Sequence, residues 1–480
     1  MKIKDFISNP FVILTTSLVL VLIVSQLIQD GMFMDGSLYV CVSHNLSQGL
    51  GSFWEPNYSK TSMIVFREQP PLYFGLMAIF FKLFGSSMYV ERLFIFICLI
   101  LEFIVIKSLW NSAIKEDENK KHVWLPILFF IIIPVVFWSY ANLVEETVMV
   151  IFASIAVLFV RYATNSEQNT SQLIWILFAA VAIVLSTLTK GIQGSFPLAS
   201  LFIFWIFERK LSFKKAIQLS FLLFIFFISI YILMFLFDSS IYFNLKLYLE
   251  NRLSKAFITG DHDTTSSHFY LLFRLLSELL PVIIILFILV IVKKKFYRIK
   301  LNTNYQLSAY AYIFIGLSGT LPLMLTKEQR GFYLLTALPF FAIAFALLII
   351  PLISVIIESW NPQSKSYSAF KLTAIVILVG SLVFTFLQVG KCKRDKEALH
   401  DIYTFLPLLE QGSIVGLSDD LLDSWNIRNY LIRYKYISMH DSNSAPKYKI
   451  ISKNTYSIEI DKHYKRINLE TELLDLYIKN

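Results

Sequence analysis

Residues 11–39 read FVILTTSLVLVLIVSQLIQDGMFMDGSLY. The run from Phe11 to Ile28 carries no charge, follows Lys2 and Lys4, and lacks a small-residue cleavage pattern. Such a segment is a retained membrane anchor that begins in the cytoplasm, because basic flanks stay on that side. The chain then emerges outside at about residue 30, which places Asp35 in Met34-Asp35-Gly36-Ser37 just beyond the bilayer.

The rest of the chain repeats that first run. Of 480 residues, 56% are hydrophobic and 16% charged, and the mean hydropathy is +0.62. One soluble core cannot hide so much apolar surface. The net charge of +9 comes from short basic clusters between apolar runs, which orient a membrane protein and do not form a nucleic-acid surface. Cys41, Cys98 and Cys392 fit no metal spacing, and a Cys41–Cys392 bridge stays open because both face outside in this reading.

Further runs long enough to cross lie near 88–110, 122–140, 143–163, 172–189, 192–207, 216–237, 270–292, 305–325, 331–357 and 370–390. The sequence therefore predicts a mainly α, polytopic protein with about eleven transmembrane helices and its tail outside. Arg209, Lys210, Lys214 and Lys215, then Lys293, Lys294, Lys295, Arg298 and Lys300, fall on the predicted cytoplasmic side. Lys391, Lys393 and Arg394 follow the last span on the predicted outer side and count against the path, but earlier spans usually set orientation.

The first outer loop, 30–87, holds two expected interfacial helices. Ser37 to Gln48 places Leu38, Tyr39, Val42 and Leu46 on one side, while Leu72 to Phe84 is strongly apolar but too short to cross. A second outer loop, Asp238 to His268, carries no motif. After residue 390 the composition becomes that of a small soluble α/β domain, 391–480. Strand character occurs at Ser413 to Leu417, Tyr436 to Met439 and Tyr448 to Ser452, with a helix from Ser424 to Tyr434. The predicted division is a transmembrane catalytic domain, 1–390, and this appendage.

Ionisable residues at a membrane edge are costly and need a reason. Asp35, Glu68, Arg92, Glu145, Glu146, Lys190, Lys327 and Arg330 all fall at predicted outer ends. Asp35, Glu145 and Glu146 suit helix starts through the dipole alone. Lys190, before Gly191, and Arg330, before Gly331, read either as boundary cations or as phosphate ligands in glycine-bounded turns. His44, His262 and His268 show no ligand pattern, so no metal site is predicted.

Taken in order, several segments resemble the GT-C glycosyltransferases, the superfamily of protein O-mannosyltransferases and lipid A aminoarabinose transferases. They are Met34-Asp35-Gly36-Ser37-Leu38-Tyr39, Gln69-Pro70-Pro71-Leu72-Tyr73-Phe74, Phe81-Lys82-Leu83-Phe84-Gly85, Tyr89-Val90-Glu91-Arg92-Leu93, Leu188-Thr189-Lys190-Gly191 and Arg330-Gly331-Phe332-Tyr333-Leu334-Leu335. The similarity covers about the first 350 residues. It implies a membrane glycosyltransferase that moves a sugar from a polyprenyl-phosphate carrier to a glycolipid, glycan or protein on the extracytoplasmic face of a bacterial inner (plasma) membrane.

The resemblance carries the essential acid onto Asp35 and a second acid onto Glu146, with Glu145 secondary. Family members often carry two adjacent acids in the first motif and a lysine or histidine before the paired prolines. This chain has Gly36 and Gln69 there. The chemistry expected is one inverting displacement, in which a carboxylate takes the acceptor proton while cations meet the leaving phosphate. Asp35 is the expected base and Glu146 its partner. Lys190, Arg330 and Arg92 are the expected phosphate ligands, and Glu68, Gln69 and Tyr39 secondary members. The lipid-linked sugar is the donor substrate, no other cofactor is implied by the motifs, and the need for a divalent metal stays open.

Two other classes compete. A lipid or polysaccharide transporter (flippase) predicts midplane polar sites and two related halves, and no internal repeat is visible in the sequence. A noncatalytic scaffold predicts that Asp35 is dispensable.

Overall fold

The computed structural model describes residues 9–114, 116–254, 264–296, 303–440, 445–453 and 463–480. Its backbone divides into two units: Met1–Gln26, Ile95–Ala141 and Glu145–Gln388 in one, Leu27–Phe94, Asn142–Val144 and Val389–Asn480 in the other.

Among the described residues nine helices are long and apolar enough to cross a membrane: Pro10–Leu27, Met88–Ala113, Glu146–Asn165, Asn169–Lys190, Phe213–Phe237, Tyr270–Ile291, Thr303–Leu325, Gly331–Glu358 and Lys365–Phe386. A tenth crossing is broken, with Glu118–Ile131 and Pro134–Ala141 bent by 78°. Proline ends the first half by denying it a donor, and the new helix start is satisfied when Val135 N–H donates to Glu278 Oε2 at 2.6 Å. The eleventh expected run folds as the shorter apolar helix Ile192–Glu208. It opens on a 3₁₀ stretch, Ile192–Ala199, that contains Pro197. It leads from the Lys190 end of the neighbouring hairpin back to the other end, where Lys210 meets Asn165. The greater rise of a 3₁₀ turn, ~2.0 Å per residue, offsets the short count.

In the first unit Glu146–Asn165 packs against Asn169–Lys190, because the short link from Asn165 to Asn169 leaves room only for an antiparallel return. Alanines bring the helices close: Ala153, Ala156, Ala179, Ala180 and Ala182 are buried. The turn end of this hairpin is the basic end. Lys210 and Lys215 donate to Asn165 Oδ1 and Asn169 Oδ1, each at 2.7 Å. By contrast Phe213–Phe237 buries little, and Phe221, Phe224, Leu236 and Phe237 present a broad apolar surface suited to lipid.

The second unit joins the first loop to the tail. Strands β1 (Ile414–Leu417), β2 (Ser438–His440), β3 (Tyr448–Ser452), β4 (Tyr464–Arg466) and β5 (Leu474–Lys479) form one sheet in the order β2-β1-β3-β5-β4. β1 pairs parallel with β2 and β3, whereas β5 runs antiparallel to β3 and β4. The helix Trp425–Lys435 makes the β1-to-β2 crossover that a parallel pair requires. The strands near 414, 438 and 448 and the crossover helix match the sequence reading, while β4, β5 and the helix Lys396–Phe405 are additions. Asp401 fixes the sheet's last turn by accepting from the backbone N–H groups of Glu472, Leu473 and Leu474 at 2.7–2.8 Å.

The two loop helices behave differently from each other. Leu72–Phe84 buries Tyr73, Phe74, Met77 and Phe81 and exposes Ile79, Leu83 and Phe84, as an interfacial helix should. The helix Met34–Ser47 is instead a core element. It buries Ser37, Ser43, His44 and Asn45 as well as Tyr39, Val40 and Val42. The cause is the tail: Asn429 donates to Ser37 Oγ at 2.8 Å and to Met34 O at 3.1 Å, and accepts from Tyr58 Oη at 2.6 Å.

A buried ion network closes this unit. Arg433 pairs with Glu91 and, at 3.1 Å, with Asp30. Burial works against the Asp30 carboxylate, but the Arg433 guanidinium, the Tyr403 hydroxyl and the Gly31 N–H outweigh it and hold its pKa below the usual value. Burial likewise opposes the charge of Arg433, yet Glu91, Tyr434 and Asp30 keep its pKa well above normal. Lys391 O accepts from Asp30 N–H, and Lys393 N–H donates to Asp30 O. Burial, then the charges of Arg92 and Arg394, push the Lys393 ammonium down to about 6. All three cysteines are free, and no Cys41–Cys392 bridge forms. Cys41 is buried and donates to Asn429 O at 3.1 Å.

Candidate active site

In the first unit three elements bring expected site residues together. Glu145 precedes and Glu146 begins the helix Glu146–Asn165, Lys190 ends the helix Asn169–Lys190, and Gly331–Ala337 starts another crossing. Lys190 Nζ lies 2.8 Å from Glu146 Oε1 and 3.6 Å from Glu145 Oε2. On its other side stand two rings, with Nζ 5.1 Å from the centroid of Tyr333 and 5.6 Å from that of Phe332. Both carboxylates and the ammonium are buried. Carboxylates and aromatic faces both favour a cation, so this cage holds Lys190 charged and fixed in direction.

The turn after Lys190 has a specific build. Gly191 sits at φ +90, and a Cβ there would come within 2.3 Å of Tyr248 Oη. Tyr248 donates to Lys190 O at 3.2 Å, and Gln193 Nε2 donates to Tyr333 O at 2.8 Å. Gly191 N–H donates to Thr187 O and Gly194 N–H to Gly191 O. Arg330 occupies the residue before Gly331 with an exposed side chain.

In the second unit Asp35 is half-buried in the first turn of Met34–Ser47, where the helix dipole favours a carboxylate. Tyr39, one turn later on the same face, is buried against the rings of Tyr73 and Phe74. Glu68 and Gln69 are half-buried in the loop that leads to Pro70 and Pro71. Arg92 is buried 3.9 Å from Glu91, beside the Arg433 network. Gly36 has a steric reason: a Cβ there would lie 2.0 Å from Asn142 O. The segment 142–144 is held to the start of this helix, where Phe33 N–H donates to Asn142 Oδ1, and to the helix Leu72–Phe84, whose Tyr73 Oη donates to Leu143 O.

Two features escaped the sequence reading. The Asp30–Arg433–Glu91 network joins residues about 400 apart, and no local pattern marks it. Glu102, midway along Met88–Ala113, is fully buried and accepts from Ser154 Oγ at 3.0 Å. An acid inside an otherwise apolar run was the available signal. His44 is buried, with Nε2 2.7 Å from Ser86 Oγ, and burial followed by the Arg433 charge pushes its pKa down to about 4. His262 lies outside the described residues. Among the described residues no three His, Cys, Asp or Glu side chains gather as a metal site.

Residues 68–235 match the family described as dolichyl-phosphate-mannose-protein mannosyltransferase. That stretch, roughly a third of the chain, contains Glu68, Gln69, Arg92, Glu145, Glu146 and Lys190, while Asp35 and Arg330 lie outside it. No curated protein matches the chain by sequence. The fold is similar to that of ArnT from Cupriavidus metallidurans bound to undecaprenyl phosphate, with TM-score 0.64, 12% identity and 97% of each chain covered. The apo form of the same enzyme gives 0.62 at 13% identity over 97% of each chain. The apo Archaeoglobus fulgidus oligosaccharyltransferase gives 0.53 at 11% identity, covering 91% of this chain and 64% of that one. These identities show a shared fold, and the family match falls on the segment that builds the Glu145–Glu146–Lys190 cage. The chain is a polytopic membrane protein with an ArnT-like fold, and its residues 68–235 match the mannosyltransferase family.

Proposed function

We propose that the protein transfers a sugar from a polyprenyl-phosphate carrier to an acceptor on the extracytoplasmic side, with inversion at the anomeric carbon. The observation that carries this reading is the cage around Lys190 at one end of the Glu146–Asn165 and Asn169–Lys190 hairpin. The basic turn, with Lys210 and Lys215, lies at the other end. A helix of 20 residues is ~30 Å long, so the two ends belong to opposite membrane faces. Basic loops stay in the cytoplasm, which assigns the cage to the outer face. With all eleven apolar runs crossing, this reading has the amino terminus in the cytoplasm and the tail outside an inner (plasma) membrane.

In this reading Asp35 takes the proton of an acceptor hydroxyl. The acceptor oxygen bonds the anomeric carbon from the side opposite the phosphate, and the bond to phosphate breaks with its electron pair on the leaving oxygen. Polyprenyl phosphate departs and the anomeric centre inverts. An ammonium has three donors, so Lys190, held by Glu146, meets the leaving phosphate with another. Arg330 supplies a second cation from the exposed start of its helix, and Arg92 a third. Glu146, with Glu145, keeps Lys190 charged, while Glu68, Gln69 and Tyr39 shape the surroundings of Asp35. Phosphate leaves readily once its charge is met, so no strong acid is required.

The direct test is mass spectrometry of cell-envelope glycans and lipids with and without the protein. One sugar-bearing species should disappear on deletion, while its polyprenyl-linked donor accumulates. An unchanged envelope profile would overturn the assignment. Sidedness is tested separately with Gln411→Cys, an exposed tail position, in a Cys392→Ser background that leaves only the buried Cys41 and Cys98. An impermeant thiol reagent should label it in cells whose inner membrane is intact. Protection until that membrane is lysed would place the tail in the cytoplasm.

A further inference from the structure

The second unit contains a cavity of about 400 Å³ lined by Met34, Arg394, Asp395, Asp423, Trp425 and Asn426, among others. Met34 immediately precedes Asp35. We propose that this cavity binds a sugar ring of the acceptor, and that the acceptor is therefore a glycan or glycolipid bearing a neutral sugar. The inference rests on Asp35 being the group that faces the acceptor.

The lining has the chemistry a pyranose needs. An indole offers an apolar, polarisable face to the C–H side of a ring. Carboxylate, amide and guanidinium groups are planar and can hold pairs of neighbouring hydroxyls. The volume is that of a small-molecule site. The walls are also fixed in advance. Asn426 Nδ2 donates to Asp395 Oδ2 at 3.0 Å, and the Tyr430 hydroxyl donates to the same oxygen at 2.9 Å. The Arg428 guanidinium lies 4.6 Å from the centroid of the Trp425 ring and that of Arg394 5.8 Å from Phe33. A preformed site binds with less ordering cost.

Charge narrows the ligand class. Asp395 and Asp423 face Arg394 in the lining and Arg428 over the Trp425 ring, so the walls carry no net charge and suit a neutral ligand rich in hydroxyls.

The test uses the full-length protein in lipid nanodiscs and the methyl glycosides of glucose, mannose and N-acetylglucosamine, followed by saturation-transfer NMR. At least one glycoside should bind saturably to the parent. Trp425→Ala and Asp423→Asn should each weaken that binding tenfold or more, and Trp425→Phe should restore part of it. Asp423 is exposed, so Asp423→Asn decides the matter if Trp425→Ala unfolds. No glycoside binding, or binding indifferent to Asp423→Asn, overturns the proposal, as does saturable binding of an unglycosylated peptide in their place. If glycosides bind as described but Asp35→Asn still transfers sugar, the catalytic reading of Asp35 falls and the saccharide site stands.

Discussion

Replacing Asp35 by Asn should reduce sugar transfer by roughly a hundredfold to ten-thousandfold, the usual contribution of a positioned general base. The substitution removes one charge and almost no volume. Asp35 is half-buried in the first turn of Met34–Ser47, so the structural cost includes the lost helix-dipole interaction, about 0.3–1 kcal/mol. The helix itself is held by other contacts, from Asn429 to Ser37 and Met34 and from Phe33 N–H to Asn142. Folding and activity should therefore separate. Asp35→Asn should keep the parent's melting temperature to within a few degrees and bind a polyprenyl phosphate normally, while the rate of transfer collapses. Asp35→Glu should retain part of the rate, because it keeps a base at the wrong reach. A folded Asp35→Asn variant that turns over normally would remove Asp35 from the mechanism and restore the scaffold reading.

The membrane architecture was legible because a crossing needs about twenty apolar residues, a signal contained within one segment. Each expected run is helical in the structure. The exceptions in length have local causes, Pro134 at the bent pair and the 3₁₀ turn with Pro197 in Ile192–Glu208. Burial within the second unit was not legible. The pattern of Leu38, Tyr39, Val42 and Leu46 suggests a helix with one apolar side, yet the polar side is covered by a helix almost 400 residues later. Asn429 and Arg433 satisfy the groups that would otherwise need water. Short strands such as β4, three residues long, carry too little pattern to see, although Leu474, Leu476 and Ile478 alternate in β5.

The site itself was partly legible. A hairpin joined by a link as short as Asn165 to Asn169 must bring residues 146 and 190 to the same end, so the Glu146–Lys190 pair follows from topology and opposite charge. Gly36 shows the opposite case. Its departure from the usual pair of acids has no meaning in the sequence, but the carbonyl of Asn142 fills the space where a second side chain would begin.

Removing the Lys190 charge should weaken donor binding, and the cage makes the form of the experiment matter. Lys190→Met alone leaves Glu145 and Glu146 buried without their ammonium. Breaking a buried pair in this way costs about 3–5 kcal/mol, and unfolding would then imitate loss of function. The companion variant Lys190→Met/Glu146→Gln removes one of the stranded carboxylates and should recover much of the lost stability. Because Glu146 is itself placed in the catalytic machinery, the readout is equilibrium binding of a polyprenyl phosphate to protein in nanodiscs, with no turnover required. Loss of a charge-assisted contact costs about 1.5–3 kcal/mol, so affinity should fall by about tenfold to a hundredfold or more in both variants. Arg330→Lys should also weaken binding, since lysine keeps the charge but lacks the planar fork that holds two phosphate oxygens. Its exposed position makes a stability effect small. Parental affinity in the folded double variant and in Arg330→Lys would make both residues boundary anchors and require the phosphate to bind elsewhere.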